Sequence, residues 1–244
     1  MASPNQPVGV LGSGSFGTAV ANLLAYNSDV FLFSRKSEVV DAINETRHHL
    51  GVEISERVRA TSDLAELAAR CTLIFPIVPS NSFRSMMQAL APHLRPHHII
   101  IHGTKGFDLK DIDENDLEKP GLVLTRANVR TMSEVVREES SVVRVGCLSG
   151  PNLAAEIMAG QPAATLVGSR FREVIQAGQT ALNSSKFHVF GSYDILGAEL
   201  AGQGHRERLV AGLGSGELAF QPQLAAGAAQ LQQLGGPAQQ GDRA

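Results

Sequence analysis

Apolar runs alternate with stretches of helical periodicity along most of the chain. The runs predict strands at 8–11, 29–34, 58–60, 72–78, 99–102, 142–148, 164–167 and 188–190. Helical spacing predicts helices at 16–24, 62–70, 82–91, 129–139, 171–182 and 194–201, and one more that opens at 149–152. Strands and helices alternating in this way form a mostly parallel sheet covered on both faces. The pattern therefore predicts an α/β fold with a doubly wound sheet and a ligand crevice at the carboxyl ends of the strands.

The periodicity is lost after residue 202. Residues 203–244 hold eight Gly, eight Ala and eight Gln, with one aromatic residue and no Lys. Such a composition is typical of poorly ordered polypeptide. The sequence therefore predicts one domain over residues 1–191 and the start of a second at 192, with 203–244 atypical and poorly ordered.

Composition and charge limit what the chain can bind. Of 244 residues, 43% are hydrophobic and 18% charged; the formal net charge is −3, and Lys and Arg are dispersed along the chain, adjacent only at Arg35-Lys36. This distribution gives no basic face for nucleic acid, and no apolar stretch approaches the ~20 residues that span a membrane. The first residues lack a signal-peptide pattern. Cys71 and Cys147 each lie beside an apolar run, which predicts reduced thiols and a cytoplasmic protein.

Three glycines lie where the first strand gives way to the first helix. Gly12 permits a tight turn, Gly14 lets a pyrophosphate approach the backbone, and Gly17 lets helix and strand pack closely. The free N–H groups of the new helix would face the phosphates. An ordinary strand-to-helix turn shares the pattern, but the strand before it and the helix after it favour a dinucleotide site.

The residues after the second strand indicate which dinucleotide is bound. An acidic residue about 20 positions past the glycines usually binds the adenosine ribose, whereas this chain has Ser34, Arg35 and Lys36 there. Arg35 can form charge-assisted hydrogen bonds with the extra phosphate of NADP, which an acid would repel. The alternative is that both cations are merely solvated surface residues.

Two further strand ends carry polar residues. Lys105 lies between Thr104 and Gly106, where it can place a positive charge near a cofactor phosphate or a substrate. A surface lysine would look the same if this position stood alone. Asn152 can cap a helix whose exposed N–H groups suit an anionic substrate, and capping alone explains it equally well.

No metal site is predicted. His48-His49 and His97-His98 are adjacent pairs, whose side chains point to opposite faces of a strand, and His102 has no ligand at a recognisable spacing. The acidic residues at 111–116 lack the glycine and terminal Glu of a calcium loop. These histidines are therefore expected to be structural, and the acidic residues to form a solvated loop.

In order along the chain, these motifs resemble those of bacterial-type NAD(P)-dependent glycerol-3-phosphate dehydrogenase. The resemblance covers residues 7–202 and rests on Gly12–Ala19, Ser34-Arg35, Val78-Pro79-Ser80, Thr104-Lys105-Gly106, Leu148–Glu156 and Gly197-Ala198-Glu199-Leu200. It implies a Rossmann-type cofactor domain followed by an all-helical domain, of which this chain would carry a truncated remnant. It also implies hydride transfer between NAD(P)H and dihydroxyacetone phosphate. The product, sn-glycerol 3-phosphate, serves phospholipid synthesis in that family.

The resemblance implies roles for individual residues. Lys105 is expected to contact cofactor and substrate and to act in catalysis, with Gly150 and Asn152 near the substrate. Asn152 stands where the family more often has Ser or Thr. A homodimer is a further possibility. The expected cofactor-binding residues are Gly12, Gly14, Ser15, Phe16, Gly17, Arg35, Lys36, Pro79, Lys105 and Ala154.

One departure from the family bears on catalysis. After Gly202 the family continues with Ala-Leu-Lys-Asn, whose lysine transfers the proton, whereas this chain has Gln203-Gly204-His205-Arg206. Histidine can do acid–base chemistry, but the motifs of the helical domain do not follow. We therefore hypothesise that 203–244 arose from a reading-frame shift, which translation of the gene in the other two frames tests.

The sequence is compatible with three functions. The first is the dehydrogenase, impaired in this chain, and the second is an NAD(P)-binding fragment without turnover. The third is another dehydrogenase with the same cofactor domain, such as a ketopantoate reductase. The motif at 149–156 argues against the third.

Overall fold

The computed structural model describes residues 6–110 and 124–202, together with two strands at 209–211 and 217–220. The chain divides into two compact units, one of residues 1–108 and 130–203 and one of residues 109–129 and 204–244. The helix over 195–201 falls in the first unit. The domain boundary after residue 191 therefore does not coincide with the division between units, and as a domain boundary it stays a prediction.

Fifteen strands and eight α-helices are described. The strands are β1 (Val8–Leu11), β2 (Val30–Phe33), β3 (His48–His49), β4 (Val52–Glu53), β5 (Val58–Thr61), β6 (Leu73–Pro76), β7 (Ile99–His102), β8 (Phe107–Leu109), β9 (Leu124–Thr125), β10 (Val129–Thr131), β11 (Arg144–Ser149), β12 (Ala163–Ser169), β13 (Phe187–Ser192), β14 (Leu209–Ala211) and β15 (Glu217–Phe220). The helices are α1 (Ser15–Leu24), α2 (Ser37–Asp41), α3 (Leu64–Arg70), α4 (Ser80–Leu90), α5 (Met132–Glu139), α6 (Ala154–Met158), α7 (Arg172–Leu182) and α8 (Ile195–Ala201).

Eight strands of the first unit form one sheet, in the order β13-β12-β11-β7-β6-β1-β2-β5. The chain leaves β1 outward through β2 and β5, then crosses back to β6 on the other side of β1. In a doubly wound sheet the ligand crevice lies where the winding reverses, here at the carboxyl ends of β1 and β6. The predicted α/β, mostly parallel sheet is confirmed.

The sheet carries a hydrophobic core on each face. Val10 and Phe75 belong to the core that holds α1 and α7, whereas Leu11 and Ile74 belong to the core that holds α3, α4 and α5. Neighbouring strand residues point to opposite faces, so a strand buried on both sides reads as a continuous apolar run. The central strands could therefore be predicted from the sequence.

The structure adds one detail to the mostly parallel sheet and corrects the starts of two helices. β11 pairs with β12 antiparallel, the one antiparallel pair of this sheet. The helix predicted over 62–70 begins at Leu64, because the Asp63 carboxylate accepts from Ala65 N and Glu66 N and so caps α3. Residues 129–131 form β10, and the following helix begins only after Thr131, whose side chain caps it. The β3–β4 hairpin was not predicted, since each strand is two residues long.

The second unit contains a three-stranded antiparallel sheet of β9, β15 and β14. Of residues 203–244, the structure describes only β14 and β15, so the predictions for this segment, including the role of His205, lie outside the described residues. The acidic residues at 111–116 are likewise outside them. Within the described ranges, every helix is too short or too polar to cross a membrane.

Candidate functional site

The glycine turn between β1 and α1 is shaped by two close backbone contacts. Gly12 has φ +115°, and a Cβ there would lie 2.2 Å from the Ile77 carbonyl oxygen. A Cβ on Gly17 would lie 1.9 Å from the Gly12 carbonyl oxygen. A Cβ on Gly14 would meet nothing within 4 Å. Gly12 and Gly17 therefore maintain the turn, while Gly14 faces open space that a ligand can enter.

The amino-terminal end of α1 opens at this turn. Gly14 is its N-cap, no side chain caps it, and no acidic residue lies in its first turn. The helix has ten residues, enough to give its amino-terminal end partial positive charge. Unbonded N–H groups with that charge form an anion site, as the predicted pyrophosphate contact requires.

A cavity of about 530 Å³ lies beside the turn, at the switch point of the sheet. Ser13 donates a hydrogen bond to Ser34 Oγ (2.9 Å), which also accepts one from Lys36 N (3.3 Å). Two cations and no carboxylate line the cavity. Its lining residues are Gly12, Ser13, Gly14, Phe33, Ser34, Arg35, Lys36, Leu64, Ile77, Val78, Pro79, Ser82, Ser85, Met86 and Ala89.

Five of the predicted cofactor residues therefore line one cavity, namely Gly12, Gly14, Arg35, Lys36 and Pro79. Ser15, Phe16 and Gly17 belong to the first turns of α1. Ala154 opens α6. Their contacts with a cofactor stay predictions.

Lys105 is exposed just beyond β7. It donates from Nζ to the Gly150 carbonyl oxygen (3.2 Å), so two predicted substrate residues meet. The preceding Thr104 donates to the Val78 carbonyl oxygen (2.8 Å), which ties the loop of Lys105 to the end of β6. The backbone just before the lysine is thus fixed, while the lysine side chain stays exposed.

Asn152 does not cap α6, because the N-cap is Leu153 and carries no side-chain cap bond. Its Nδ2 instead donates to Thr165 Oγ1 (2.8 Å), which donates to the Ser149 carbonyl oxygen (3.1 Å). Among the described side chains, Asn152 Oδ1 is one of two buried polar atoms without a hydrogen-bond partner. The buried acceptor lies two residues after Gly150, which suits a ligand that donates a hydrogen bond.

His49 contacts the glycine turn, a role that the sequence analysis did not assign. Its Nε2 lies 2.8 Å from the Ser13 carbonyl oxygen, to which the ring must donate. The ring is carried by the unpredicted β3–β4 hairpin. No periodicity in the sequence announces a contact made by so short a strand.

Arg84 of α4 binds β8, the strand that follows Lys105. It donates to Asp108 (2.8 Å) and to Glu138 (2.8 Å), and it also pairs with Glu139. The hydrogen bond with Asp108 is the main cause that raises the pKa of the guanidinium. Arg84 therefore ties β8 to α4 and α5, a role that the sequence did not predict.

The described residues contain no group of three His, Cys, Asp or Glu that could hold a metal. The two buried thiols are also unreactive. Burial raises the pKa of Cys71 to about 12, and burial with the charge of Glu199 raises that of Cys147 to about 12. Both cysteines are free. At neutral pH neither is a thiolate, so neither serves as nucleophile or ligand.

Glu199 Oε1 lies 3.0 Å from His102 Nε2, within hydrogen-bond distance, and both residues are buried. Burial raises the pKa of Glu199, but the bond and charge of His102, the Ser133 N–H and the Thr131 hydroxyl together lower it below its ordinary value. A carboxyl whose pKa is lowered by folding stabilises the fold above its unfolded pKa and loses that contribution as pH falls through the folded value.

A Glu199→Gln variant is therefore expected to be about 1–3 kcal/mol less stable than the parent near neutral pH, because the amide cannot replace the charge-assisted bonds. The difference should shrink as the pH falls through the lowered pKa of the folded carboxyl, because the parent carboxyl then becomes neutral as well. Urea unfolding over this pH range measures it. Glu173→Gln, which removes an exposed carboxylate, should show no such pH-dependent gap. A gap unchanged at acid pH would contradict an ionised Glu199.

The geometry defines a dinucleotide-binding α/β domain: a doubly wound sheet with a glycine turn, an open helix end and a cationic cavity at its switch point. A family model described as the N-terminus of NAD-dependent glycerol-3-phosphate dehydrogenase matches residues 7–175. The chain belongs to this family of oxidoreductases.

Individual relatives agree with the assignment. The chain is 35% identical over 237 residues to "Glycerol-3-phosphate dehydrogenase [NAD(P)+] 2" of Sphingopyxis alaskensis, covering 93% of this chain and 66% of that one. It is 38% identical over 198 residues to glycerol-3-phosphate dehydrogenase [NAD(P)+] of Acinetobacter baumannii, covering 79% and 50%. The crystal structure of glycerol-3-phosphate dehydrogenase from Coxiella burnetii superposes with a TM-score of 0.68 at 28% identity, covering 82% and 57%.

The coverage of these relatives has two consequences. The chain spans between half and two thirds of the length of the curated relatives it matches. The Sphingopyxis alignment takes in 93% of the chain, more than residues 7–202 contain, so it extends into the tail. A reading-frame shift at residue 203 does not predict that extension, and the gene sequence still decides the hypothesis.

Proposed function

We propose that residues 6–202 are the NAD(P)H-binding part of a glycerol-3-phosphate dehydrogenase. The supporting observation is the open α1 end beside a cavity with two cations and no carboxylate, in a chain of this family. The site fits a dinucleotide diphosphate, because Gly14 leaves room for it and the uncapped N–H groups supply its donors. When bound, the nicotinamide supplies the hydride for the reaction.

The proposed reaction is the reduction of dihydroxyacetone phosphate to sn-glycerol 3-phosphate, a precursor of glycerophospholipids. Lys105 is placed to bind a phosphate or to stabilise the alkoxide that develops as the ketone is reduced. Gly150 and Asn152 would line the substrate beside it, and Ser15, Phe16 and Ala154 the cofactor. The buried free thiols support a cytoplasmic location.

Arg35 is proposed to bind the 2′-phosphate of NADP. An Arg35→Ser variant is expected to bind NADPH about 10–100-fold more weakly, the value of one charge-assisted hydrogen bond, and to bind NADH almost unchanged. Titration of NADPH and NADH fluorescence measures both affinities. Arg170→Ser removes an exposed guanidinium elsewhere and serves as the matched control. Equal losses for both nucleotides would contradict the assignment.

A second candidate function is NAD(P)H binding without turnover. It is favoured by Gln203-Gly204-His205-Arg206, where the family resemblance expects the proton-transferring lysine. The cofactor site is common to both candidates, so only a turnover assay separates them. The third alternative, a ketopantoate reductase, is set aside because the chain belongs to the glycerol-3-phosphate dehydrogenase family.

A further inference from the structure

A buried polar cluster joins three elements behind the loop of Lys105. His102 ends β7, Glu199 lies on α8, and Ser133 lies in the first turn of α5. His102 Nε2 is 3.0 Å from Glu199 Oε1 and 3.2 Å from Ser133 Oγ. Ser133 N also donates to Glu199 Oε1 (2.9 Å). All three residues are more than nine-tenths buried.

The cluster is not a nucleophile relay. In such a relay the acid and the nucleophile bind opposite nitrogens of the imidazole, whereas here Glu199 and Ser133 both meet Nε2 of His102. His102 Nδ1 is buried without a partner among the described residues. A donor proton placed on Nε2 and directed at Glu199 is therefore the arrangement that the contacts favour. The carboxylate is the fixed point to which the ring is anchored.

The cluster of His102, Glu199 and Ser133 lies beside Lys105. His102 precedes it by three residues on the same strand end, and Gly202, the C-cap of α8, follows Glu199 by three. A small cavity is lined jointly by His102, Thr104, Lys105, Glu199 and Gly202. The hydrogen bond between His102 and Glu199 thus fixes the β7 end to α8 beside the lysine, as the Thr104–Val78 bond fixes it to β6.

We propose that Glu199 is a positioning residue, which through His102 fixes the strand end presenting Lys105 and so sets how strongly Lys105 binds an anionic ligand. This inference rests on the proposed role of Lys105 in ligand binding. A carboxylate suits the task because it accepts from His102, Ser133 and Thr131 together. A glutamine at 199 offers a single acceptor oxygen and turns an NH2 group toward donors.

The test observes Lys105 directly. The chain has five lysines, Lys36, Lys105, Lys110, Lys119 and Lys186, and reductive methylation with ¹³C gives each a separate NMR signal. Lys105→Arg assigns the signal of Lys105 by its loss. The signal is followed against pH without ligand and then with NADPH, in the parent, in Glu199→Gln and in His102→Gln. Leu182→Ala, a fully buried change on α7, controls for lost stability.

Both cluster variants are expected to shift the ligand-free signal of Lys105 and to weaken NADPH binding about tenfold, because a displaced ammonium group loses a charge-assisted hydrogen bond to the ligand. Leu182→Ala should change neither. The inference is overturned if a folded cluster variant keeps the parental Lys105 signal. If the parent itself does not bind NADPH, the proposed function fails, while the ligand-free signals still decide whether Glu199 positions Lys105. If Glu199→Gln or His102→Gln does not fold, the other variant still decides the test.

Discussion

A Gly17→Ala variant is expected to lose NADPH binding and about 3 kcal/mol of stability, as overpacked positions do. The added methyl would lie 1.9 Å from the Gly12 carbonyl oxygen, in a contact of backbone with backbone that no rotamer change relieves. The turn must open to admit it, which moves the N–H groups at the start of α1. Urea unfolding and NADPH fluorescence, measured on the same sample, follow both effects.

The Gly14→Ala variant distinguishes an effect on NADPH affinity from an effect on stability. A Cβ at Gly14 meets nothing within 4 Å, so this variant should unfold like the parent. The methyl nevertheless occupies the space through which a diphosphate approaches the backbone, so NADPH affinity should fall at least about tenfold. If Gly14→Ala binds NADPH as the parent does, the ligand does not lie on this turn.

The 244-residue chain is expected to bind NADPH but not to oxidise it with dihydroxyacetone phosphate. Reduction of a ketone needs a proton donor as well as a hydride, and a positioned donor contributes about 10²–10⁴-fold. The residue expected at that place is lysine, whereas the chain has His205. NADPH absorbance, with and without dihydroxyacetone phosphate, measures the rate.

Two controls make the turnover assay decisive. The same preparation must show NADPH binding by fluorescence, so that inactivity does not reflect a misfolded sample. Turnover that depends on dihydroxyacetone phosphate and disappears in Lys105→Ala would establish the enzyme over the binding fragment. In that case His205 becomes the first residue to test as the proton donor.

The sequence predicted the central sheet and the glycine turn because both follow from local rules. A strand buried on both faces is a continuous apolar run, as at Ile99–Ile101, and a turn with two forbidden Cβ positions demands glycine at both. The strand-end residues Arg35 and Lys105 were found for the same reason, since they lie directly after such runs. Topology then brings them to one edge of the sheet.

The contacts that the sequence did not predict are long-range and made by side chains. His49 meets the Ser13 carbonyl oxygen across 36 positions. His102 pairs with Glu199 on a helix 97 positions later, while each residue alone resembles a structural side chain. Position along the chain carries no information about such pairs, because the fold decides which strand end and which helix meet. The sequence predicted a mostly parallel sheet but not which strands run the other way. These are β12 and β13, and their direction is set by the connections and not by the apolar runs.

Fluorescence titration of the chain with NADPH tests the central claim most directly. If the glycine turn, the open end of α1 and the Arg35 cavity form a dinucleotide site, binding should saturate with a Kd of about 1 μM to 1 mM, the range in which the KM values of enzymes typically fall. Gly14→Ala should weaken it, and NADH should bind less tightly than NADPH. A parent chain that folds cooperatively yet shows no saturable signal at millimolar NADPH would contradict the account.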